Sequence, residues 1–242
     1  MTKQEPEQEP EPTETSVAEH ELRIDVDGTP VSAVATRPDD ALATVVVAHG
    51  AGAGMAHPFM SGFTRALTRL GFATLRFNFA YVEAGRRMPG RPAAAIAAWR
   101  AAVETARGLA ADAGVAEERI WAAGKSYGGR MASMAVAEGM PVDGLVYLGY
   151  PLHAPGKAGQ LRDAHLYGVT TPMLFLQGTN DPFATPNSEL DEVVARIGPT
   201  AVLEWLDGAG HSFEVKGRKR APAEIAAELA PLVADFVRPR LA

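Results

Sequence analysis

The sequence predicts an α/β domain in which a doubly wound, mostly parallel sheet of about eight strands carries helices on both faces. Two short runs of alternating polarity near the start are typical of an antiparallel hairpin. After them, short β-rich apolar runs alternate with longer runs of helical periodicity. Several of the short runs are apolar almost throughout, as expected for parallel strands covered on both faces. A hairpin followed by repeated strand-helix units gives this fold class.

The strands are indicated first by the hairpin, in which Gly28-Thr29 separates "HELRIDVDG" from "PVSAVATRP". Six further apolar runs predict strands at 43–48, 73–79, 119–124, 144–150, 172–178 and 201–206. With 242 residues, 47% of them hydrophobic, the chain can bury the core of one such domain.

The helices are indicated by apolar residues spaced three and four apart. Residues 92–112 begin with Pro92 in the first turn and stop near Gly114. The segment "SYGGRMASMAVAEG" predicts a helix that directly follows a strand, and a last helix closes the chain. The positions predicted to face the core are Ile96, Trp99, Val103 and Ala106 in the first of these, and Ile225, Leu229, Leu232, Phe236 and Val237 in the last.

The N-terminal residues differ from the rest of the chain. "TKQEPEQEPEPTETS" alternates Glu and Pro and offers little apolar surface to bury, which predicts disorder. We therefore expect a tail over residues 1–19 and a single domain over residues 20–242. Most of the formal net charge of -6 lies in the tail, so the domain is close to neutral.

Composition narrows the possible functions. The chain has no cysteine, which excludes disulfides, thiolate metal sites and cysteine nucleophiles. No window approaches the roughly 18 apolar residues of a membrane span, and no signal peptide is evident, so we expect a cytoplasmic protein. Arginine and alanine usage is typical of a bacterial sequence. No concentrated basic face predicts nucleic-acid binding, and the short basic run at 216–220 is either a solvated loop or a contact for an anion or an acidic partner.

"WAAGKSYGGRMAS" contains two overlapping glycine motifs. A P-loop ending in Gly124-Lys125-Ser126 needs a glycine five residues before Gly124, and Arg119 stands there within a strand. A nucleophile elbow instead needs glycines two residues before and after its serine, at a turn between a strand and a helix. Gly124 and Gly128 meet that requirement. Ser126 is therefore predicted to be a nucleophile.

A serine nucleophile needs a base and an acid that orients the base, in the chain order Ser, Asp or Glu, His. Asp181 follows one predicted strand and His211 follows the last, and both lie at carboxyl ends, where open α/β sheets place their ligands. Asp207, four residues before His211, is the rival acid and ranks second.

The oxyanion of an acyl-transfer reaction needs two N–H donors. Tyr127, which follows the serine, is predicted to supply one, and Ala51, after the strand that ends at His49-Gly50, the other. The glycines around Ala51 also suggest a dinucleotide site, but their spacing is Gly-x-Gly-x-Gly, and no acidic residue ends the next strand as that fingerprint requires.

These residues resemble the α/β-hydrolase superfamily, and within it the dienelactone-hydrolase-like branch of small predicted serine hydrolases, the testis-expressed/KANSL-like group. The resemblance covers roughly residues 43–215 and is carried by "AHGAGAGMAHPFM", "LRFNFAYVEAGRR", "GKSYGGRMAS", "LGYPLHAPGK", "LFLQGTNDPF" and the loop of His211. It implies an α/β-hydrolase fold without a sizeable lid, and a natural substrate that is generally undefined. Some relatives are subunits of larger assemblies. True dienelactone hydrolases use a cysteine, which this chain lacks, so their substrate is not carried over.

The resemblance raises further candidates. Tyr81, Arg86 or Arg87 either contacts a substrate carboxylate or holds its loop through surface hydrogen bonds. His153 and His165 lie in the short connection where larger relatives insert a lid.

Lys125 is expected to point away from Ser126 and to have a structural role. The predicted function is that of a cofactor-free, metal-free serine hydrolase acting on a small-molecule ester or thioester. The alternative is a non-catalytic binding or assembly subunit that keeps the fold; the oligomeric state is left open.

Overall fold

A computed structural model describes residues 17–241. The predicted tail falls largely on residues 1–16, which lie outside the described part, so its disorder stays a prediction. The first strand begins at Glu19, one residue before the predicted start of the domain. Glu19 belongs to the folded part because its carboxylate pairs with Arg76, 2.7 Å away.

Eight strands form one mixed sheet, as predicted. They are β1 (Glu19–Val26), β2 (Thr29–Thr36), β3 (Thr44–Ala48), β4 (Ala73–Phe77), β5 (Ile120–Lys125), β6 (Gly144–Leu148), β7 (Met173–Gly178) and β8 (Ala201–Leu206). Their order is β1-β2-β4-β3-β5-β6-β7-β8. The first two strands are antiparallel to each other, β2 is antiparallel to β4, and β3 to β8 are parallel.

In the described part of the chain, residues 17–241, six helices cover the sheet. They are α1 (Pro58–Arg69), α2 (Ala80–Glu83), α3 (Pro92–Asp112), α4 (Tyr127–Ala137), α5 (Asn187–Ile197) and α6 (Pro222–Val237). The sequence predicted α3, α4 and α6 individually but not α1, α2 or α5. The connection from β6 to β7 holds only a short 3-10 turn, Leu166–Gly168, so no sizeable lid covers this edge.

The hairpin turn differs by one residue from the prediction. Its two central residues are Asp27 and Gly28, with φ of 51° and 81°, so Thr29 already belongs to β2. A two-residue turn of this type needs positive φ at both central positions, which Asp-Gly tolerates and a β-branched Thr does not. The turn chemistry therefore fixes the register of the hairpin.

Two apolar cores flank the sheet. On one face α1 and α6 pack through side chains such as Phe63 and Val233. On the other face α3, α4 and α5 pack through side chains such as Trp99, Met131 and Leu190. Burial on both faces makes the central strands rigid, so the loops at their carboxyl ends start from fixed positions.

Candidate active site

Ser126 stands at the sharp turn between β5 and α4, where the sequence predicted a nucleophile elbow. Its φ of 48° and ψ of -111° lie outside the usual regions for a residue with a side chain. The two flanking glycines make the turn possible. A Cβ added at Gly124 would lie 2.1 Å from the backbone N of Gly129, and one added at Gly128 would lie 2.7 Å from the carbonyl oxygen of Ala48. Neither position can carry a side chain unless the backbone moves.

A chain of hydrogen bonds links Ser126 to His211 and Asp181. The serine Oγ lies 2.8 Å from His211 Nε2, and His211 Nδ1 lies 2.7 Å from Asp181 Oδ2. Because ionised Asp181 can only accept, Nδ1 carries the proton and Nε2 is free to accept from the serine hydroxyl. This tautomer is the one a general base requires.

Asp181 is fully buried and its side chain is held from several sides. Oδ1 accepts from the Phe183 N–H at 2.9 Å, and Oδ2 also accepts from Gln177 Nε2 at 2.6 Å. The Oε1 of Gln177 in turn accepts from the Tyr150 N–H at 2.7 Å. These bonds fix the carboxylate and, through it, the plane of the imidazole. No pattern in the sequence indicated this role of Gln177.

Asp207, the rival acid, is exposed and forms no hydrogen bond to His211. Instead, the loop after β8, which carries His211, packs closely against the loop after β7, which carries Asp181. A Cβ at Gly178 would lie 2.2 Å from the carbonyl oxygen of Ala209, and the Asn180 N–H donates to that same oxygen at 2.9 Å. This close approach brings the loop of His211 to Asp181.

Lys125 holds the histidine loop in place through its side chain. Its Nζ donates to the carbonyl oxygen of His211 at 2.6 Å and lies 5.5 Å from the centre of the Phe213 ring. Burial lowers the pKa of Lys125 to about 8, against the opposing charges of Asp181 and Glu214. Its role in fixing the base was not predicted.

The two residues predicted to donate to the oxyanion line the same cavity as Ser126. Tyr127 is the first residue of α4, so its N–H has no acceptor within the helix. Ala51 lies in the loop after β3, and a Cβ added at the neighbouring Gly50 would be 3.7 Å from Ser126 Cβ. Among residues 17–241, neither amide has a protein acceptor.

His49 holds the loop that carries Ala51. It is buried, its Nδ1–H donates to the Gly50 carbonyl at 2.8 Å, and its Nε2 accepts from the Phe79 N–H at 3.2 Å. Burial lowers the pKa of His49 to about 4, although the bond to Gly50 opposes the shift. The ring is therefore neutral near pH 7, as its two bonds require. The sequence placed His49 at the end of a strand but did not reveal this role.

A cavity of about 850 Å³ opens over Ser126, within the range of small-molecule sites. Apolar side chains from α1 and α6, including Phe59, Met60 and Ile225, form one wall. Arg130 and Arg162 line the cavity as well. The site can therefore admit an organic molecule next to the serine.

The other candidates lie elsewhere. The Tyr81 hydroxyl donates to the Gly50 carbonyl at 3.5 Å, and the Arg87 carbonyl accepts from the Gly52 N–H at 3.0 Å. These contacts favour the interpretation that Tyr81 and Arg87 hold their loop in place through hydrogen bonds. Arg86 is exposed and, like Arg87, does not line the cavity.

The two histidines of the β6–β7 connection also lie outside the cavity wall. The Nδ1 of His153 donates to the Ala154 carbonyl at 2.9 Å, and Nε2 of His165 lies 2.8 Å from Ser133 Oγ. In the basic run, Arg220 pairs with Glu228 at 2.6 Å.

Within residues 17–241, no group of three or more His, Asp or Glu side chains is arranged to hold a metal ion. No helix in this part of the chain combines the length and the apolar character needed to cross a bilayer.

Comparisons with known proteins agree with this architecture. Residues 41–238 match the family model described as an alpha/beta hydrolase domain. A dienelactone hydrolase from Anabaena variabilis superposes with a TM-score of 0.71 at 20% identity, covering 91% of this chain and 97% of its own.

Two further solved structures have similar scores. An esterase from Pyrococcus furiosus superposes with a TM-score of 0.71 at 17% identity, covering 97% of this chain and 97% of its own. A serine hydrolase without a lid from Xanthomonas campestris gives 0.68 at 20% identity, covering 96% of this chain and 97% of its own. At these identities, the likeness shows the fold.

Proposed function

The chain belongs to the alpha/beta hydrolase domain family, and from this we propose that it is a serine hydrolase that cleaves a carboxylic ester or thioester through Ser126, His211 and Asp181. The observation that carries the proposal is the unbroken chain of hydrogen bonds from Ser126 Oγ through the imidazole to the buried carboxylate, at 2.8 and 2.7 Å. The turn holds Ser126 at a φ of 48°. A positive φ costs conformational energy for a residue with a side chain, and proteins retain such backbone strain mostly at functional sites.

Acylation begins with proton transfer from the serine. His211 Nε2 accepts the hydroxyl proton as Ser126 Oγ attacks the carbonyl carbon of the substrate. Asp181 stays ionised and stabilises the imidazolium through the Nδ1–H bond. The oxyanion that develops accepts hydrogen bonds from the N–H groups of Ala51 and Tyr127, which have no competing protein acceptor.

Collapse of this intermediate needs a proton for the leaving group. His211 Nε2–H donates it to the departing alkoxide or thiolate, and the acyl group remains on Ser126. Water then repeats the sequence, with His211 again as the base, and releases the carboxylic acid. The protein atoms return to their starting state, and each step uses only groups of this chain and water.

The relatives support the choice of ester chemistry, since solved neighbours are named as esterases and as a serine hydrolase. Membership of the testis-expressed/KANSL-like group, a bacterial source and a cytoplasmic location stay predictions. The non-catalytic subunit remains the alternative that the following experiment tests.

The purified protein is treated with a fluorophosphonate probe, and hydrolysis of p-nitrophenyl acetate is followed in parallel. Wild type should be labelled at Ser126 and should hydrolyse the ester, whereas Ser126→Ala should lose both properties. Ser188→Ala is the matched control, because Ser188 is exposed on α5 and outside the cavity wall. Unlabelled wild type, or Ser126→Ala with undiminished hydrolysis, would refute the enzymatic function.

A further inference from the structure

Two arginines without acidic partners line the cavity next to Ser126. Arg130 lies on α4 one helical turn after the serine, since its N–H donates to the Ser126 carbonyl at 3.1 Å. Arg162 reaches the same cavity from the β6–β7 connection. Residues one turn apart on a helix share a face, so Arg130 lies on the side of α4 that faces the cavity, and both arginines line the space that an acyl substrate would enter.

The position of Arg162 is built into the fold. Its backbone N–H donates to the Leu152 carbonyl at 2.7 Å, and its own carbonyl accepts from the Tyr150 hydroxyl at 2.7 Å. Tyr150 is completely buried. The loop therefore presents this side chain from a fixed backbone, which reduces the entropy lost when a ligand binds.

Within residues 17–241, neither guanidinium forms an ion pair with an acid, and the Nε of Arg130 is buried without a hydrogen-bond acceptor. Burial, and the nearby charge of Arg162, lower the pKa of Arg130, against the effect of Tyr150. Two like charges placed together in a half-buried wall are costly unless an anion joins them.

Another arginine of the cavity wall, in contrast, forms an ion pair within the protein. Arg220 lines the same cavity and pairs with Glu228 at 2.6 Å. Two acids lie in the same region, and neither pairs with these arginines. Asp163 follows Arg162 in the chain and accepts from the Tyr167 hydroxyl, and Glu214 lines the cavity, is exposed and contributes to the field at Lys125.

We propose that Arg130 and Arg162 bind an anionic group of the substrate, so that the enzyme acts on esters or thioesters that carry a carboxylate or another anion in addition to the scissile bond. This inference rests on the proposed hydrolase function. Guanidinium groups match planar carboxylates through paired, charge-assisted hydrogen bonds. The apolar wall formed by Phe59, Met60 and Ile225 suits the carbon chain that separates the anion from the acyl carbon.

The first experiment measures selectivity between esters of equal length. The ratio of kcat/KM for monomethyl glutarate to that for methyl pentanoate reports an anion on the acyl side. The ratio for 4-acetoxybenzoate to that for 4-methylphenyl acetate reports an anion on the leaving-group side. Wild type should prefer the anionic member of at least one pair. Arg130→Gln and Arg162→Gln should each reduce that ratio about tenfold, as expected for loss of a charged hydrogen bond.

Two further variants serve as controls. Arg162→Lys keeps the charge and should restore part of the preference, while Arg65→Gln removes an exposed arginine of α1 that does not line the cavity and should leave the ratio unchanged. Equal hydrolysis of both members of both pairs by wild type, or a ratio that is insensitive to Arg130→Gln and Arg162→Gln, would overturn the inference while the hydrolase function stands.

A binding measurement keeps this test separate from catalysis. In Ser126→Ala, calorimetry should show monomethyl glutarate binding about tenfold more tightly than methyl pentanoate, and Arg162→Gln in that background should remove the difference. Equal affinities would contradict the anion site whatever Ser126 does. Retained hydrolysis by Ser126→Ala would instead contradict the proposed catalytic serine.

Discussion

Replacement of Lys125 by Met should separate the stability of this protein from its activity. The Lys125 ammonium is buried beneath the histidine loop and donates to the His211 carbonyl at 2.6 Å. Met has a similar length and no charge, so Lys125→Met removes the donor but fills much of the same space. The substitution acts on the backbone that carries the base and leaves the imidazole itself intact.

The expected change in stability is small because two contributions oppose each other. A pKa lowered from 10.5 to about 8 means that the buried charge costs about 3 kcal/mol at pH 7. A hydrogen bond from a charged donor returns roughly 1.5–3 kcal/mol. The free energy of unfolding of Lys125→Met should therefore lie within about 2 kcal/mol of the wild-type value at pH 7.

For the pH dependence of the free energy of unfolding, the sign of the Lys125 contribution is defined. Between pH 8 and 10.5 the unfolded chain keeps the Lys125 proton and the folded chain has lost it. This residue therefore raises the free energy of unfolding of the wild type with pH in that window, by up to about 1.4 kcal/mol per unit. Lys125→Met should lack this rise.

Activity should fall although the fold persists. Without the donor, the His211 carbonyl is free to shift, and a displaced base costs about 10- to 100-fold in kcat. The assay is ester hydrolysis together with urea unfolding at pH 7 and 9.5. Lys157→Met, at an exposed lysine, is the matched control. An unchanged kcat, or a loss of stability well above 3 kcal/mol at pH 7, would refute this account of Lys125.

Two further predictions concern the acid and the buried histidine. Asp181→Asn should lower kcat by about three to four orders of magnitude, because the amide no longer fixes the His211 tautomer, whereas Asp207→Asn should have little effect; the reverse result would assign the acid to Asp207. The pKa of His49 is about 4 in the folded chain, against 6.5 for an unperturbed histidine. This residue should therefore lower the free energy of unfolding as the pH falls from 6.5 to 4, by up to about 1.4 kcal/mol per pH unit. Urea unfolding at pH 6.5, 5.5 and 4.5 should show a shallower slope for His49→Gln than for wild type or for His20→Gln at an exposed site, and equal slopes would contradict this contribution.

The fold was largely predictable because its signals are local. Parallel strands buried on both faces are apolar almost throughout, so 43–48 and 172–178 were placed within one residue of β3 and β7. The hairpin turn was misplaced by one residue, because apolar alternation locates the strands but φ decides which two residues turn. α1 and α5 were not singled out, although Phe59, Phe63 and Leu67 of α1 already show the spacing of a helix.

Residues of the candidate site were predictable where a residue type suited to catalysis directly follows a predicted strand. Ser126 was marked by its glycines, and Asp181 and His211 by their positions after apolar strands, although their catalytic roles stay a proposal. The sequence could not choose firmly between Asp181 and Asp207, because the choice depends on which loop reaches the imidazole. The close approach of Gly178 to Ala209 makes that choice in the folded chain.

The sequence by itself determined the alternation of strands and helices, the serine turn and the absence of cysteine chemistry, because each is written in neighbouring residues. The folded structure was needed to show that Lys125 holds the loop of His211, 86 positions away, and that His49 supports the loop of Ala51. It also shows that Arg130 and Arg162 line one cavity without forming an ion pair to any acid within residues 17–241. These features depend on distances between side chains that are far apart in the chain, and no local pattern encodes such distances.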